Sequence, residues 1–286
     1  MGKPLRDCSV HIIGLGLMGG SLAMALRGQV RRITAEDILP EVLRQAQARG
    51  VIDAAGTAAD VDIVVPAIPA DRIITLIPAL NVRPGALVID LGSTKTRICG
   101  QLDRLPEGVL AVGGHPMCGL AENGYAHAIA TLYRGARFVL CETARTTGEA
   151  RALAEALVQA AGAQPLWMDR TRHDAATALT SHLPHLLSFA LMRLAMEIAA
   201  EDGALFELAA GGFDGATRLA RTDETMIVGM FSTNAEQLRS ITGRLREHLD
   251  DLEDMLEDVP ALHNELAEIV TARRAYTTSY GERLIT

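Results

Sequence analysis

A glycine-rich segment near the N-terminus carries the clearest chemical signal in this 286-residue sequence. Residues 14–19 read GLGLMG and lie between a strand candidate and a helix candidate. Gly14 permits a tight turn, Gly16 lets a pyrophosphate approach the backbone, and Gly19 lets the helix pack closely on the strand. The N-terminus of the helix then presents free N–H groups and a partial positive charge to phosphate oxygens. The spacing predicts a dinucleotide-binding turn.

An acidic residue follows this turn at the distance that ribose recognition requires. Asp37 comes 23 residues after Gly14, close to the ~20 residues expected for a ribose-binding carboxylate. A carboxylate there repels a 2′-phosphate, and no arginine occurs in the next residues 38–40, so NAD is favoured over NADP. Two alternatives remain open: Glu36 takes this role, or Asp37 caps a helix. The residues predicted to bind NAD are Gly14, Gly16, Leu17, Met18, Gly19 and Asp37.

Histidines and cysteines are the residue types that could bind a metal or transfer a proton. His182 and His185 are three residues apart on a predicted helix and therefore share one face. No carboxylate or cysteine completes a ligand set with them, and the four cysteines lack metal-binding spacing, so no metal site is predicted. An imidazole, with a reference pKa near ~6.5, is suited to accept a proton at neutral pH.

Lysine is almost absent, which draws attention to Lys95. The chain has 25 arginines but only two lysines, Lys3 and Lys95. Because an ammonium is a more compact cation than a guanidinium, Lys95 is a candidate ligand for an anionic group of a substrate. The alternative is an ordinary solvated lysine.

Alternating strand and helix patterns must position these groups. The strand candidates are residues 9–13, 32–36, 61–66, 86–91, 111–113, 137–141 and 164–167. Apolar strands separated by helices predict a doubly wound, Rossmann-type α/β parallel sheet. After about residue 169 apolar residues recur at helical spacing, with an interruption expected near Pro184. We therefore predict a dinucleotide-binding domain over residues 1–168 and an all-helical domain over residues 169–286.

Charge and composition argue against several classes of protein. The formal net charge is −8 without a dense basic run, which disfavours nucleic-acid binding. No signal-peptide pattern opens the chain, and no uninterrupted apolar run reaches the ~18 residues of a membrane span. The cysteines are expected to be reduced thiols of a cytoplasmic protein without a membrane partner.

Four further segments, together with the glycine turn, resemble the prephenate/arogenate dehydrogenase family. Their order and spacing match the family over roughly residues 8–245. The resemblance implies an NAD-dependent dehydrogenase of tyrosine biosynthesis, with an active site in the cleft between two domains and a homodimer formed through the helical domain. The segments are DLGSTK at 90–95, GHPMCG at 114–119, SHLPH at 181–185, and the pair GGF at 211–213 and TRLA at 217–220.

The resemblance also implies a reaction and its residues. A hydride leaves the ring carbon that bears the 4-hydroxyl group, and loss of the C1 carboxylate as CO2 makes the ring aromatic. His115, expected after a short strand and a Gly-Gly turn, is implied as the general base for the hydroxyl proton. Ser93 is implied to hydrogen-bond His115 or the substrate, although it could equally cap a helix over residues 94–102.

The helical segment is implied to bind the substrate. Arg218 corresponds to the family's arginine that grips a substrate carboxylate. His182 or His185 is implied to shape the substrate site, with satisfied interhelical histidines as the alternative. Arg221 is expected to be structural.

Some positions depart from the family pattern and leave the substrate open. The usual acidic residue after the GHPMCG segment is replaced by Ala121, with Glu122 one position later, and Asp214 precedes Gly215, which occupies the usual aspartate position. Prephenate is expected as the substrate, and arogenate is the alternative. A β-hydroxyacid-type dehydrogenase is disfavoured because it uses a lysine in its helical domain. A binding protein without turnover is disfavoured by the retained candidate catalytic residues.

Overall fold

The computed structural model describes residues 3–120 and 122–281. Ala121, one of the positions that depart from the family pattern, therefore lies outside the described residues. Eight strands form a single sheet: β1 Ser9–Ile13, β2 Arg32–Glu36, β3 Ala54–Ala55, β4 Ile63–Pro66, β5 Leu87–Ile89, β6 Leu110–Pro116, β7 Arg137–Cys141 and β8 Gln164–Trp167.

The sheet is mostly parallel and doubly wound. Its strand order is β3-β2-β1-β4-β5-β6-β7-β8, and β7 pairs antiparallel to β6. The order reverses beside β1, so the carboxyl ends of β1 and β4 flank a crevice at the switch point of the sheet. Ligands of open α/β sheets bind at such a crevice. The predicted Rossmann-type sheet followed by helices is confirmed.

Helices cover the sheet and make up most of the described chain that follows it. One buried apolar cluster includes Ile12, Leu22 and Phe138, and a second includes Val64, Ile73 and Ile98. The helices are α1 Leu17–Leu26, α2 Pro40–Ala48, α3 Ala70–Leu76, α4 Thr96–Leu102, α5 Gly148–Ala160, α6 Arg170–Thr177, α7 Leu183–Glu201, α8 Gly211–Thr217, α9 Glu224–Thr233, α10 Ala235–Asp254 and α11 Val259–Tyr280.

Strand β6 changes its pairing partner part-way along its length. Its first half pairs in parallel with β5, up to Val112 opposite Ile89, and its second half pairs antiparallel with β7. The expected Gly-Gly turn before His115 is therefore wrong, since both glycines and His115 lie within the strand. The glycines are needed for close packing. A Cβ on Gly113 would lie 2.4 Å from Cys99 Sγ, and one on Gly114 would lie 2.3 Å from the Asp90 carbonyl oxygen.

The helical part begins with one continuous stretch that a π-helical turn interrupts. This turn, Ala178–His182, joins α6 to α7 just before Pro184. Proline lacks the N–H that would bond to the preceding turn, which accounts for the local irregularity. By length and composition alone, the whole stretch Arg170–Glu201 is able to span a membrane, which the search for uninterrupted apolar runs missed. A helix of a soluble protein can pass the same test, so the absence of a membrane partner stays a prediction.

The chain divides into two compact units, one ending at Ala235 and one beginning at Glu236. Helices α6 and α9 belong to the first unit, where they contact α4 and α3 respectively. The second unit contains most of α10 and all of α11, in which no described residue is buried. The change from sheet to helices falls at the predicted boundary between residues 168 and 169. As a boundary between domains, this position stays a prediction.

Candidate functional site

The glycine turn has the geometry that a bound pyrophosphate requires. Gly14 has φ +93°, a conformation that favours glycine, and a Cβ on Gly19 would lie only 1.9 Å from the Gly14 carbonyl oxygen. A Cβ on Gly16 would meet nothing within 4 Å, so open space faces the backbone there. Gly16 is also the N-cap residue of α1. Helix and strand thus pack through Gly19, while Gly16 leaves the helix N-terminus accessible to an anion.

Asp37 lies at the end of β2, beside this turn. One carboxylate oxygen accepts the Leu15 N–H at 2.7 Å, and the other accepts the Leu39 N–H at 2.8 Å. Helix α2 begins at Pro40 with Leu39 as its N-cap residue, so the alternative that Asp37 caps this helix is wrong. Each oxygen of Asp37 retains a lone pair for a ribose hydroxyl.

One cavity joins the glycine turn to two of the predicted catalytic residues. Its volume is about 340 Å³, and it is lined by Gly16, Leu17, Met18, Ser93 and His115 among others. The start of α9 contributes further wall residues, including Met226. The open space at the N-terminus of α1, the partial positive charge of that helix terminus and the carboxylate of Asp37 just after β2 together fit a dinucleotide. Gly14, Gly16, Leu17, Met18, Gly19 and Asp37 would hold it.

Ser93 lies on the loop between β5 and α4 but does not cap the helix. Helix α4 starts at Thr96, and its N-terminal N–H groups are bound by a residue from the helical part of the chain. The carboxylate of Asp174 accepts the N–H of Lys95 and that of Thr96, each at 2.7 Å. The helix-cap alternative for Ser93 is therefore wrong, and Ser93 lines the cavity.

Lys95 is neither solvated nor part of the cavity wall. Its side chain is fully buried, forms an ion pair with Asp90 and donates to the Gly114 carbonyl oxygen at 2.6 Å. Asp90 in turn accepts the N–H groups of Gly92 at 2.8 Å and Gly114 at 3.0 Å. A buried ammonium requires such partners because desolvation without them is costly. The placement contradicts both expectations for Lys95, a solvated lysine and a substrate ligand.

His115 lines the cavity and is hydrogen-bonded on its other side to a second histidine. Its Nδ1 lies 2.8 Å from Nε2 of His173, and Nδ1 of His173 lies 2.8 Å from Oδ1 of Asp174. Burial, together with the nearby His173 and Lys95, lowers the pKa of His115 well below its usual range. Burial raises the pKa of Asp174, but hydrogen bonds from His173 and Thr96 outweigh it, and the net shift is downwards. The site thus contains a neutral imidazole and an ionised carboxylate at neutral pH.

The other predicted substrate residues lie in the helical part, outside the described lining of this cavity. His182 is fully buried; its Nδ1 lies 3.1 Å from Nδ2 of Asn234, and burial lowers its pKa to about 4. His185 and Arg218 are half-buried and close enough that, after burial, the Arg218 charge lowers the pKa of His185. Arg218 forms no ion pair with any carboxylate in the described part of the chain.

Comparison with known families accounts for this arrangement. Residues 22–166 match the model of the prephenate dehydrogenase nucleotide-binding domain, and residues 169–271 match that of the prephenate dehydrogenase dimerization domain. The chain belongs to the prephenate dehydrogenase family. A prephenate dehydrogenase of Lactococcus lactis subsp. cremoris (strain MG1363) is 33% identical over 85% of this chain and 70% of its own length.

Two solved structures of this family resemble the whole chain. A prephenate dehydrogenase from A. aeolicus, in complex with hydroxyphenyl propionate and NAD+, superimposes with a TM-score of 0.89 at 29% identity. The match covers 96% of this chain and 99% of that structure. An arogenate dehydrogenase from Synechocystis has a TM-score of 0.78 at 28% identity, with 94% and 99% coverage. The predicted family, its dehydrogenase class and NAD as its cofactor are confirmed.

Sequence reasoning missed the residues that support His115 from behind. His173 and Asp174 stand next to each other at the start of the helical part, and a histidine–aspartate pair is a signal that could have been noticed. Their partners, His115 and the start of α4, lie 58 or more residues away in sequence. The sequence indicates Asp90 only as the first residue of the DLGSTK segment at 90–95. Its role became apparent only with its position beside Lys95 and Gly114.

Proposed function

We propose that this prephenate dehydrogenase family member converts prephenate to 4-hydroxyphenylpyruvate and CO2 with NAD as oxidant. The observation that carries the proposal is the single cavity that places His115 and Ser93 beside the glycine turn. When bound, NAD accepts the hydride from the substrate carbon that bears the 4-hydroxyl group. Loss of the ring carboxylate then makes the ring aromatic and drives the reaction forward.

His115 is the proposed general base for the 4-hydroxyl proton. Because Nδ1 contacts His173, Nε2 is the ring nitrogen left for the substrate. Burial keeps the imidazole unprotonated at neutral pH, as a base requires, since it lowers the pKa of His115. Ser93 lines the same cavity and is proposed to hydrogen-bond the substrate hydroxyl or His115.

Arg218 is the proposed partner of a substrate carboxylate. A half-buried guanidinium without an ion-pair partner in the described part of the chain is available to an anion. Two parallel hydrogen bonds to a carboxylate suit its planar geometry. His185, which lies near Arg218, is proposed to shape the same subsite. Buried His182 would support this subsite through its contact with Asn234.

Arogenate remains the second candidate substrate, which would yield tyrosine directly. It differs from prephenate in the side chain, and the departures at Glu122, Asp214 and Gly215 fall where the family recognises that side chain. Asp214 is exposed on α8 in this structure. A lysine-dependent β-hydroxyacid mechanism is not favoured, because Lys95 is fully buried in an ion pair and Lys3 pairs with Asp62.

A homodimer formed through the helical part is proposed as the working form. Helix α7 exposes an apolar stripe at helical spacing, and a dimerization-domain model matches this region. The stripe consists of Leu187, Leu191, Leu194 and Ile198, which are 37–52% exposed within one protomer. The four cysteines are free thiols, which is consistent with the proposed cytoplasmic location. No nucleic-acid or membrane partner is proposed.

Initial-rate kinetics test the function directly. NADH formation is measured at 340 nm with prephenate or arogenate, each with NAD or NADP, and with and without tyrosine. We expect turnover with prephenate and NAD, and much lower kcat/KM with NADP because Asp37 repels a 2′-phosphate. NAD binding without NADH formation from either substrate would refute the proposed function. A higher kcat/KM for arogenate would instead select the second candidate.

A further inference from the structure

The proposed base is hydrogen-bonded to two side chains in series that the reaction chemistry does not by itself require. Asp174, His173 and His115 are joined in series by two contacts of 2.8 Å. His173 and Asp174 are each only 1% exposed, so neither can touch a substrate in the cavity. The two histidine rings meet edge to face, with their centroids 5.1 Å apart and their planes at 74°. This geometry lets a ring nitrogen of each histidine point at the other.

The carboxylate determines where the protons on the two rings reside. An ionised carboxylate can only accept hydrogen bonds, so Nδ1 of His173 carries the proton of the contact with Asp174. With that proton on Nδ1, the other nitrogen of His173, Nε2, is left as an acceptor. Nδ1 of His115 must therefore donate to it, and Nε2 of neutral His115 is left without a proton. This is the form in which His115 can act as a base.

We propose that Asp174 and His173 are positioning residues that hold His115 in the tautomer with its proton on Nδ1. This inference rests on the proposed function, in which Nε2 of His115 receives the 4-hydroxyl proton. When that proton arrives, the donor–acceptor direction along the chain is unchanged, and no ring has to rotate. The carboxylate of Asp174, acting through its hydrogen bond with His173, then helps to stabilise the positive charge on the His115 ring.

Asp174 also connects this chain to the second proposed catalytic residue. Its two carboxylate oxygens accept the N–H groups of Lys95 and Thr96 at the start of α4. Ser93 lies two residues before Lys95, on the loop that these bonds anchor. Asn234 donates to the Asp174 carbonyl oxygen at 2.8 Å and fixes the backbone of the same residue. One carboxylate thus sets both the tautomer of His115 and the start of the helix behind Ser93.

Three variants distinguish control of the His115 tautomer from a purely structural role of His173 and Asp174. Asp174→Asn removes the negative charge that fixes the His173 proton on Nδ1, and its amide cannot accept from His173, Lys95 and Thr96 at once. We expect kcat to fall about 10²- to 10⁴-fold, with the affinity for NAD unchanged, by analogy with an aspartate-to-asparagine change behind a catalytic histidine. His173→Leu removes the acceptor for His115, and a fall of about 10²-fold is expected. His173→Gln offers both an amide oxygen and an amide N–H, and should retain kcat within about tenfold.

A matched control accounts for lost stability. Asp169 caps α6 by accepting the N–H groups of Thr171 and Arg172, each at 2.9 Å, and lies outside the catalytic cavity. Asp169→Ala removes a helix cap from the same helix without touching the chain of three residues. We expect a lower Tm with kcat unchanged. If Asp169→Ala loses as much activity as Asp174→Asn, the positioning role is refuted.

The tautomer itself is measured by ¹⁵N NMR on the full-length protein labelled at histidine, without substrate. The His115 signals are assigned by their loss in His115→Asn. The wild type and His173→Gln should show a protonated Nδ1 and a bare Nε2. A proton on Nε2 of His115 in the wild type would overturn the proposal. Failure of the wild type to form NADH refutes the proposed function instead, and the NMR result still decides the tautomer.

Discussion

The ammonium of Lys95 and the carboxylate of Asp90 form an ion pair in which neither side chain reaches solvent. Both groups also bind the backbone of Gly114. Asp90 accepts the Gly114 N–H, and Lys95 donates to the Gly114 carbonyl oxygen. Gly114 directly precedes His115 on β6. The buried pair therefore fixes the strand from which the proposed base projects.

Removing one partner of this pair should destabilise the protein. Lys95→Met leaves the Asp90 carboxylate buried without a counter-charge, which typically costs about 3–5 kcal/mol of unfolding free energy. Urea unfolding followed by circular dichroism measures the change. The double variant Lys95→Met/Asp90→Asn removes both charges and should recover a large part of the loss. A single variant as stable as the wild type would contradict the proposed importance of the pair.

Replacing the proposed base should abolish most turnover while leaving the cofactor site intact. In His115→Asn we expect kcat to fall by about 10²- to 10⁴-fold, the range that general-base catalysis contributes. NADH titration followed by fluorescence should give nearly the wild-type Kd, because the glycine turn is unchanged. A kcat close to that of the wild type would exclude His115 as the base.

The acid limb of the pH profile of kcat/KM should lie at a lower pH than the usual pKa of a histidine. His115 must be unprotonated to accept a proton, so kcat/KM falls as the pH drops through its pKa. Burial lowers the pKa of His115, as do His173, Lys95 and His182 around it, so the limb should lie below about pH 6.5. In Lys95→Met the limb should shift to higher pH, because a positive neighbour is lost. A wild-type limb at or above pH 7 would contradict this assignment.

Arg218 should contribute to substrate binding more than to turnover. Loss of a charge-assisted hydrogen bond costs about 1.5–3 kcal/mol, so Arg218→Ala should raise KM for prephenate by about 10- to 150-fold. The effect on kcat should be small by comparison. Arg218 and Arg221 are the first and last residues of a short 3-10 helix, and Arg221 is exposed. Arg221→Ala is therefore the matched control and should leave KM unchanged. Equal effects of the two substitutions would argue against a specific role for Arg218.

Substitutions at two glycines of the turn should affect different properties, NAD affinity at Gly16 and thermal stability at Gly19. A side chain at Gly16 enters open space, so Gly16→Val should leave Tm within a few degrees but weaken NAD binding by at least about tenfold. Gly19→Ala should lower Tm instead, because its Cβ would lie 1.9 Å from the Gly14 carbonyl oxygen. Thermal unfolding and NADH titration of both variants distinguish the two roles. Unchanged NAD affinity in Gly16→Val would contradict the proposed cofactor site.

The parts of the fold that depend on local pattern could be predicted from the sequence. The glycine turn follows β1 as expected, and Ser93 follows β5 at the same edge of the sheet. Four predicted strands have the bounds expected: Ser9–Ile13, Arg32–Glu36, Arg137–Cys141 and Gln164–Trp167. Periodicity and turn residues act over a few positions, so one sequence is sufficient to reveal them.

Features that depend on tertiary contacts could not be predicted. Adjacent glycines usually indicate a turn, but Gly113 and Gly114 lie in a strand because Cys99 and Asp90 approach it closely. The composition drew attention to Lys95 but could not show that its partner is Asp90 in a buried pair. Strand β3, only two residues long, has too little pattern to be recognised.

The contacts between the sheet and the helices have a consequence for recombination between related enzymes. Asp174 binds the start of α4, Thr233 lies 2.8 Å from Thr94 through their hydroxyls, and Arg97 donates to the Ser232 carbonyl oxygen. A chimera joined near residue 168 would inherit the two sides of each contact from different parents. Only parents that agree at these positions should therefore yield active hybrids, even though the two halves are distinct in architecture.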